Sequence, residues 1–505
     1  MDHLLTLIVF APLLMMIVLA LVPSREGGVA RWIGVVGSFV PLLLAFRLYA
    51  RFNLSAGGWQ FEEHAHWFSL RFPIFDPLLN TVRLADLPIG YDLAIDGLSL
   101  PLLMLSTVIG FLAALAAWYN TYRVKAYFMF YLLLLVGMNG VFVSKNILLF
   151  FIFFEITLVA LFFLVGIWGG FARERAAYQL LIYNGLGSLI MLVAFLVLLA
   201  VTGSTHIDEI AERLGALDIS SELGTGIFLL LLMAFGIKLP IVPFHTWVLN
   251  VHPVASAPIS MILSGVLLKM GGYGLMRFGV GFFPDVAKAF AGWLAVLGLI
   301  NLLYGAILAL AERELKRIIA YSSVSHMGIV LFGIAALNTV GFQGAIFQMV
   351  SHGLISALLF MTAGVIAERT GTTSLEELGG LAKPMPLSSA VLLTGALASL
   401  GLPAFSGFVA EVQAYLGLYA SGHVWIALFG ALGLVLTAAY LLRMVLTTTY
   451  GPTRPSLAGA SDAQPIEVLP MLALVAMIAL LGLYPLVLGE TMRETIALFL
   501  SRLGV

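Results

Sequence analysis

The chain has 505 residues, of which 61% are hydrophobic and only 10% charged, and its mean hydropathy is +1.06. Lys and Arg number 25 against 26 Asp and Glu, a net charge of −1 that offers no basic field to nucleic acid. The lack of cysteine excludes disulfides, cysteine-held iron–sulfur clusters and thiol catalysis. A set of soluble domains is thereby ruled out, and the chain reads as an all-α polytopic membrane protein.

A helix needs about 20 mostly apolar residues to cross the hydrocarbon core. Fourteen stretches qualify, at about 4–22, 32–50, 97–118, 126–144, 146–168, 176–201, 224–246, 254–278, 290–311, 318–337, 341–367, 386–420, 423–448 and 466–488. The first has no cationic segment before it and no small-residue cleavage site after it, so it reads as a span and not a signal peptide. Residues 51–96 are the one long connection; with Trp59, Trp67, His64, His66 and several prolines, they read as an interfacial loop holding a short hairpin or an amphipathic helix. Short loops after odd-numbered spans carry most of the cations, including Arg123, Lys125, Arg313, Lys316, Arg317 and Lys383. Those after even-numbered spans carry Lys145, Arg213, Arg277 and Lys288. The bias puts the odd loops in the cytoplasm and both termini outside.

Spans seven and twelve are interrupted alike. The seventh contains Gly236-Ile-Lys-Leu-Pro240-Ile-Val-Pro243-Phe-His245, and the twelfth contains Leu400-Gly401-Leu402-Pro403-Ala-Phe-Ser-Gly407. Proline removes a helix hydrogen bond, and the freed backbone survives at membrane depth only inside protein or beside water. Breaks five spans apart predict two inverted five-helix repeats, spans 4–8 and 9–13, as in transporters whose ion site lies at the break. The division expected is 1–96, two helices and the loop; 97–125, a third helix; 126–278 and 279–450, the repeats; and 451–505, a last helix. Simple proline kinks in packed helices are the plainer alternative.

Ionisable residues stand beside both breaks. Glu155 lies nine residues beyond Asn146, about 13 Å along a helix, where a charge costs a few kcal/mol. Lys238 precedes Pro240 by two residues, and Lys269 precedes Arg277 by eight, about 12 Å. Glu411 follows Pro403 by eight residues. His326 and His352, with Ser323, Ser325 and Ser351 near them, suit a proton relay because histidine titrates near neutral pH. His245 and His252 flank the broken seventh span and are placed near a channel mouth. A carboxylate approaching or leaving Lys238 would switch that lysine between holding and releasing a proton. The structural alternatives are a protonated glutamic acid bonded across a helix interface, static lysine pairs or caps, and satisfied core histidines. Paired histidine sets facing glycine, as haem needs, are not seen, nor is a nucleotide-binding glycine motif.

Five segments carry a resemblance: Ile95-Asp-Gly-Leu-Ser99; Phe153-Phe-Glu155; Lys238 through Pro240-Ile-Val-Pro243-Phe-His245-Thr-Trp247; Leu263-Ser-Gly-Val-Leu-Leu-Lys269-Met-Gly; and Leu315-Lys-Arg-Ile-Ile-Ala-Tyr-Ser-Ser-Val-Ser-His326-Met-Gly328. Over about residues 90–450 the chain resembles the antiporter-like membrane subunits of respiratory complex I and of Mrp-type cation/proton antiporters. Glu411 after Gly-Leu-Pro, and a chain that stops soon after span fourteen, resemble the subunit M branch, the counterpart of mitochondrial subunit 4. The resemblance implies that Glu155 and Lys238 form a modulating pair, that Lys269, His326 and His352 form a central axis, and that Glu411 is the terminal exchange site. It implies no redox site in this chain: FMN, iron–sulfur clusters and quinone belong to partner subunits. Other antiporter-like subunits and peripheral redox subunits are the partners implied, in a bacterial inner (plasma) membrane. One departure is Val248-Leu-Asn250-Val-His252, where the family usually has Leu-Pro-Asp-Ala-His. Neutral Asn250 takes an acidic charge away from that channel mouth, and the unusual Pro253-Val-Ala-Ser-Ala-Pro-Ile-Ser that follows leaves open a ferredoxin-fed or hydrogenase-linked complex; an Mrp-type antiporter and a structural membrane anchor are the other readings.

Overall fold

A computed structural model describes residues 3–76, 81–217, 220–502 and 504. Twelve helices among the described residues are long and apolar enough to cross a membrane, and Leu100–Ala116 and Pro386–Ser399 are shorter apolar helices. In chain order the first elements are α1 (Leu4–Leu21), α2 (Gly27–Arg51), β1 (Gln60–Asp76), β2 (Thr81–Ile95) and α3 (Leu100–Ala116). Next come α4 (Val124–Val143), α5 (Ile147–Trp168), α6 (Arg173–Thr202), α7 (Ile207–Ala216), α8 (Ser221–Lys238) and α9 (Thr246–Val251). A continuous helix, Ala257–Val280, is built of α10 (Ala257–Ile262), a π turn (Leu263–Leu267), α11 (Leu268–Gly274) and a second π turn (Leu275–Val280). The remainder is α12 (Pro284–Ala311), α13 (Leu315–Ala335), α14 (Thr339–Thr370), α15 (Pro386–Ser399), α16 (Ser406–Ala420), α17 (Val424–Thr449), α18 (Pro465–Leu483) and α19 (Leu486–Arg502).

The all-helical expectation needs one correction. β1 and β2 pair antiparallel from Gln60 opposite Ile95 to Asp76 opposite Thr81, a hairpin far longer than the short one expected. Beyond a register shift between His66 and Phe68, the first strand alternates large apolar and polar residues, as in Phe68-Ser-Leu70-Arg-Phe72, which is the two-residue period of a half-buried strand. Residues 77–80, within the expected interfacial loop, lie outside the described residues. The hairpin also closes a helix end: the buried Glu63 carboxylate accepts hydrogen bonds from the N–H of Leu5 at 2.7 Å and of Thr6 at 3.1 Å, filling the open donors at the start of α1. Two further helices went unforeseen. α7 is amphipathic, with Ile207, Ile210 and Leu214 turned inward, and α19 packs against α14 and α3.

Both interruptions are visible. α8 stops at Lys238, and the chain passes through Leu239–His245, with a cis Val242–Pro243 peptide, before α9. The freed backbone is held by Asn301 of α12, which accepts from Val242 N–H at 2.7 Å and donates to the Pro240 carbonyl at 3.1 Å. In the second break the chain turns at Gly401, φ +76°, and Ala404, φ +82°, between α15 and α16. Ala257–Val280, α13 and α14 are buried along almost their whole length and form the centre, whereas α1, α17 and α18 present much of their surface outward.

The start of α15 is fixed from a distant loop. Asp462 accepts from Leu387 N–H at 2.6 Å, Ser388 N–H at 3.1 Å and the Ser388 hydroxyl at 2.6 Å. Burial alone raises its carboxyl, but Ser388 and the backbone N–H groups of Ala463, Leu387 and Ser388 outweigh that and hold it below the ordinary carboxylate value. A lowered folded-state value contributes stability above the ordinary value and loses it as the pH falls through the lowered one. Asp462→Ala is therefore expected to cost about 1 kcal/mol at neutral pH. Thermal unfolding in detergent should show the gap to the parent closing below about pH 4.

Candidate functional site

Two groups of ionisable residues lie among the core helices. In the first, Glu155 projects from the middle of α5, and its Oε1 is buried without a hydrogen-bond partner. Lys238, 2% exposed, ends α8 with its ammonium 4.7 Å from the centre of the Phe154 ring. The two charges are within electrostatic range but form no direct ion pair. Such a pair responds to small changes in separation, because attraction in a poorly screened interior varies steeply with distance.

The second group is connected. Lys269 is fully buried on α11; its Nζ donates to the Ser264 carbonyl and lies 2.8 Å from His352 Nδ1 on α14. With the lysine charged, it donates to Nδ1 and the imidazole proton sits on Nε2. The His352 and His326 rings are 5.4 Å apart between centroids. His326, on α13, has Nδ1 2.7 Å from the Ser322 carbonyl and Nε2 2.9 Å from the Ser399 carbonyl, the latter at the second break. Its Nε2 is also 3.6 Å from Oε1 of Glu411, which is 5% exposed on α16. A neutral imidazole has one N–H, so only the imidazolium supplies both carbonyl oxygens. A cavity of about 10 Å³, room for roughly one water, is lined by His326, Gln348, Ser351, His352, Ser399 and Glu411. Gly401 lets the Glu411 carboxylate fold back against the break, since a Cβ there would collide with its Oε2.

The structure thus brings Lys269, His352, His326 and Glu411 into one row, and Glu155 and Lys238 into a separate neighbouring pair. His245 is buried beside the first break, 5.2 Å from the Tyr304 ring, with Nδ1 unpartnered. His252 is fully buried and stacked on Phe360 at 4.3 Å, with neither nitrogen bonded. Sequence reasoning assigned Arg277 to a loop. It lies instead inside the Ala257–Val280 helix, bonded to both oxygens of Asp96 at 2.7 and 2.6 Å and 4.4 Å from the Trp59 ring. Asn301 was also missed, for a lone asparagine in an apolar helix gives no hint that it bonds a broken helix elsewhere. Among the described residues no group of three or more His, Asp or Glu is arranged to hold a metal ion.

The family described as NADH:quinone oxidoreductase/Mrp antiporter, transmembrane, matches residues 144–437. The chain is 42% identical over 469 residues to NAD(P)H-quinone oxidoreductase chain 4 1 of Synechococcus sp. (strain JA-3-3Ab), covering 90% of this chain and 89% of that one. It is 40% identical over 499 residues to NAD(P)H-quinone oxidoreductase chain 4 3 of Trichormus variabilis, covering 96% and 89%. In structure it is similar to a chain of respiratory complex I from Thermus thermophilus with bound NADH, at a TM-score of 0.84 and 26% identity, covering 99% and 100% of the two chains. A chain of the Mrp complex from Dietzia sp. DQ12-45-1b shares the fold, at a TM-score of 0.84 and 22% identity over 98% and 97%.

Proposed function

The chain belongs to the NADH:quinone oxidoreductase/Mrp antiporter family of membrane subunits, and from that premise we propose that it translocates protons within a redox-driven quinone oxidoreductase complex. The observation that carries this reading is the buried row from Lys269 through His352 and His326 to Glu411, with Lys269 2.8 Å from His352, the two imidazole rings 5.4 Å apart between centroids, and His326 3.6 Å from Glu411. Burying ionisable groups in hydrocarbon is costly, and their use is conduction. Lys269 passes a proton to Nδ1 of His352. Loss of the Nε2 proton then sends charge toward His326, directly or through the water-sized cavity. His326 holds the second proton between two carbonyl oxygens until Glu411 takes it. Glu155 and Lys238 set the field: as their separation changes, Lys238 holds or releases its proton, and the charge felt by Lys269 changes with it.

The finer architecture proposed with this function has fourteen spans. They are the twelve long helices, α3, and the pair α15 and α16 read as one broken span. The two breaks are read as equivalent positions of inverted repeats at 126–278 and 279–450. Both termini are placed outside a bacterial inner membrane. Electron transfer is assigned to partner subunits that hold FMN, iron–sulfur clusters and quinone; a chain without cysteine has no ligands for such clusters. Purifying the tagged chain in mild detergent and identifying its companions by mass spectrometry tests this. Peripheral flavin and iron–sulfur subunits are the expected result, and their identity reports the electron donor. Recovery of small membrane partners alone would overturn the redox-driven reading in favour of cation/proton antiport.

A further inference from the structure

The pair of Glu155 and Lys238 has a third helix beside it. Asn184 and Ser188 on α6 are 2% and 3% exposed, and the Asn184 Oδ1 and the Ser188 hydroxyl are buried without hydrogen-bond partners. Buried polar atoms are ordinarily paired, so two orphans on one helix ask for a reason. The two residues are four apart and so share a face of α6. Asn184 Nδ2 is used within its own helix, donating to the Leu180 carbonyl at 3.0 Å, which leaves the acceptor oxygen free.

The packing of α6 fixes the depth of both. Against α5, a Cβ on Gly185 would lie 4.0 Å from Leu158 Cδ2, and the rings of Tyr178 and Phe162 are 5.8 Å apart between centroids. These helices run antiparallel, so Glu155, three residues before Leu158, and Ser188, three after Gly185, stand at one depth on the faces that meet. Against α8, a Cβ on Gly187 would lie 3.3 Å from the Ala234 carbonyl oxygen and 3.4 Å from Ile237 Cβ. Asn184, three residues before Gly187, is thereby set beside the end of α8, where Lys238 stands. The Thr246 hydroxyl donates to that of Tyr183 at 2.8 Å and ties the same turn of α6 to α9. The Lys238 ammonium itself lies over Phe154, next to Glu155, and Glu155 is the charge acting on it.

We infer that Asn184 and Ser188 are positioning residues of this pair, the partners that receive Lys238 and Glu155 when the two separate. The chemistry is complementary. Asn184 offers an acceptor to an ammonium, and Ser188 offers a hydroxyl donor to the unpartnered Oε1 of Glu155. An ammonium that leaves the Phe154 ring for Asn184 moves by about one helix turn, roughly 6 Å, within reach of a change in lysine rotamer. The separated state is then a second bonded arrangement in place of two unbonded charges, which gives the switch two defined positions. This role rests on the proton-translocating reading and assigns to α6 the holding of the separated state.

The test uses the assembled complex in inverted membrane vesicles driven by its own electron donor, with pumping and quinone reduction measured together. Asn184→Leu and Ser188→Ala are each expected to lower pumping about tenfold, the worth of one hydrogen bond to a charged group. Ser188→Thr keeps the hydroxyl and is expected to pump within about twofold of the parent. Asn184→Asp puts a carboxylate where the ammonium is received. The lysine then gives up its proton less readily, and the pH optimum of pumping is expected to rise by about one unit. Infrared difference spectra add a second readout: the Glu155 carboxyl band, identified by its loss in Glu155→Gln, is expected to move to higher frequency in Ser188→Ala. Parental pumping in Asn184→Leu and Ser188→Ala, beside loss of pumping in Lys238→Ala, would overturn this role and leave the proton-pump reading standing. Parental pumping in Lys238→Ala as well would remove that reading itself. A loss of pumping with the pH optimum and the carboxyl band both unmoved would mark the two residues as packing only and also overturn the role. Asn184→Asp has the shape of the parent, so its pH profile decides the matter even where Asn184→Leu does not assemble.

Discussion

Lys238→Ala is expected to reduce proton pumping about a hundredfold or more while the complex still assembles. The lysine does not hold the broken helix together. That task falls to Asn301, with bonds to Val242 and Pro240, and to the Trp247 indole, which donates to the Ile237 carbonyl at 2.9 Å. Removing the ammonium, which stands over the Phe154 ring, takes away the cation that Glu155 interacts with. Glu155→Gln keeps the shape of the site and removes its charge, so the same loss is expected from the other partner. Lys238→Arg is not a neutral exchange, because guanidinium stays charged at every working pH. Pumping measured by a trapped pH dye, beside quinone reduction in the same vesicles, separates loss of translocation from loss of assembly. Pumping within twofold of the parent in assembled Glu155→Gln and Lys238→Ala would sink the proposed pair.

The second large effect is expected at Glu411. Glu411→Gln preserves the fold of the side chain against Gly401 but gives His326 an amide in place of a carboxylate acceptor. A proton arriving at His326 then has no base to receive it, and pumping is expected to fall by about 10². Gly401→Ala tests the same contact from the other side. A Cβ at φ +76° is strained and collides with the carboxylate, so this variant should displace Glu411 from His326 and lower pumping, with a stability loss of about 1–3 kcal/mol. If Glu411→Gln pumps normally, the exchange site lies elsewhere in the row.

What could be read from sequence followed the range of the interaction involved. Apolar runs marked the crossing helices because hydrocarbon selects composition over about twenty consecutive residues. Prolines marked the two breaks because they act on their own helix. His326 and His352 fell together because they lie at similar depth on neighbouring helices. The long hairpin escaped because a period-two pattern is faint beside the helical signal of the rest. Arg277 was misplaced because its partner, Asp96, is 181 residues away. The place of His252 in a connection is local, but its stacking on Phe360 of α14 joins residues far apart in the chain and leaves no mark in the sequence. Nothing local in Leu263-Ser-Gly-Val-Leu announces a π turn, which arises where the packing around a helix asks for one residue more than its regular turn supplies.

The enclosure of the Ala257–Val280 helix, α13 and α14 bears on how the protein meets its lipid. Hydrocarbon touches chiefly the outer helices, and these can tilt or bend to suit a thicker or thinner bilayer at a fraction of a kcal/mol per Å. The helices that carry Lys269, His326 and His352 have protein on almost every side, so their spacing is set by side-chain packing and not by acyl-chain length. Reconstitution into short-chain or long-chain phospholipids should therefore alter the inclination of α1, α17 and α18 and leave the contacts between the central helices unchanged.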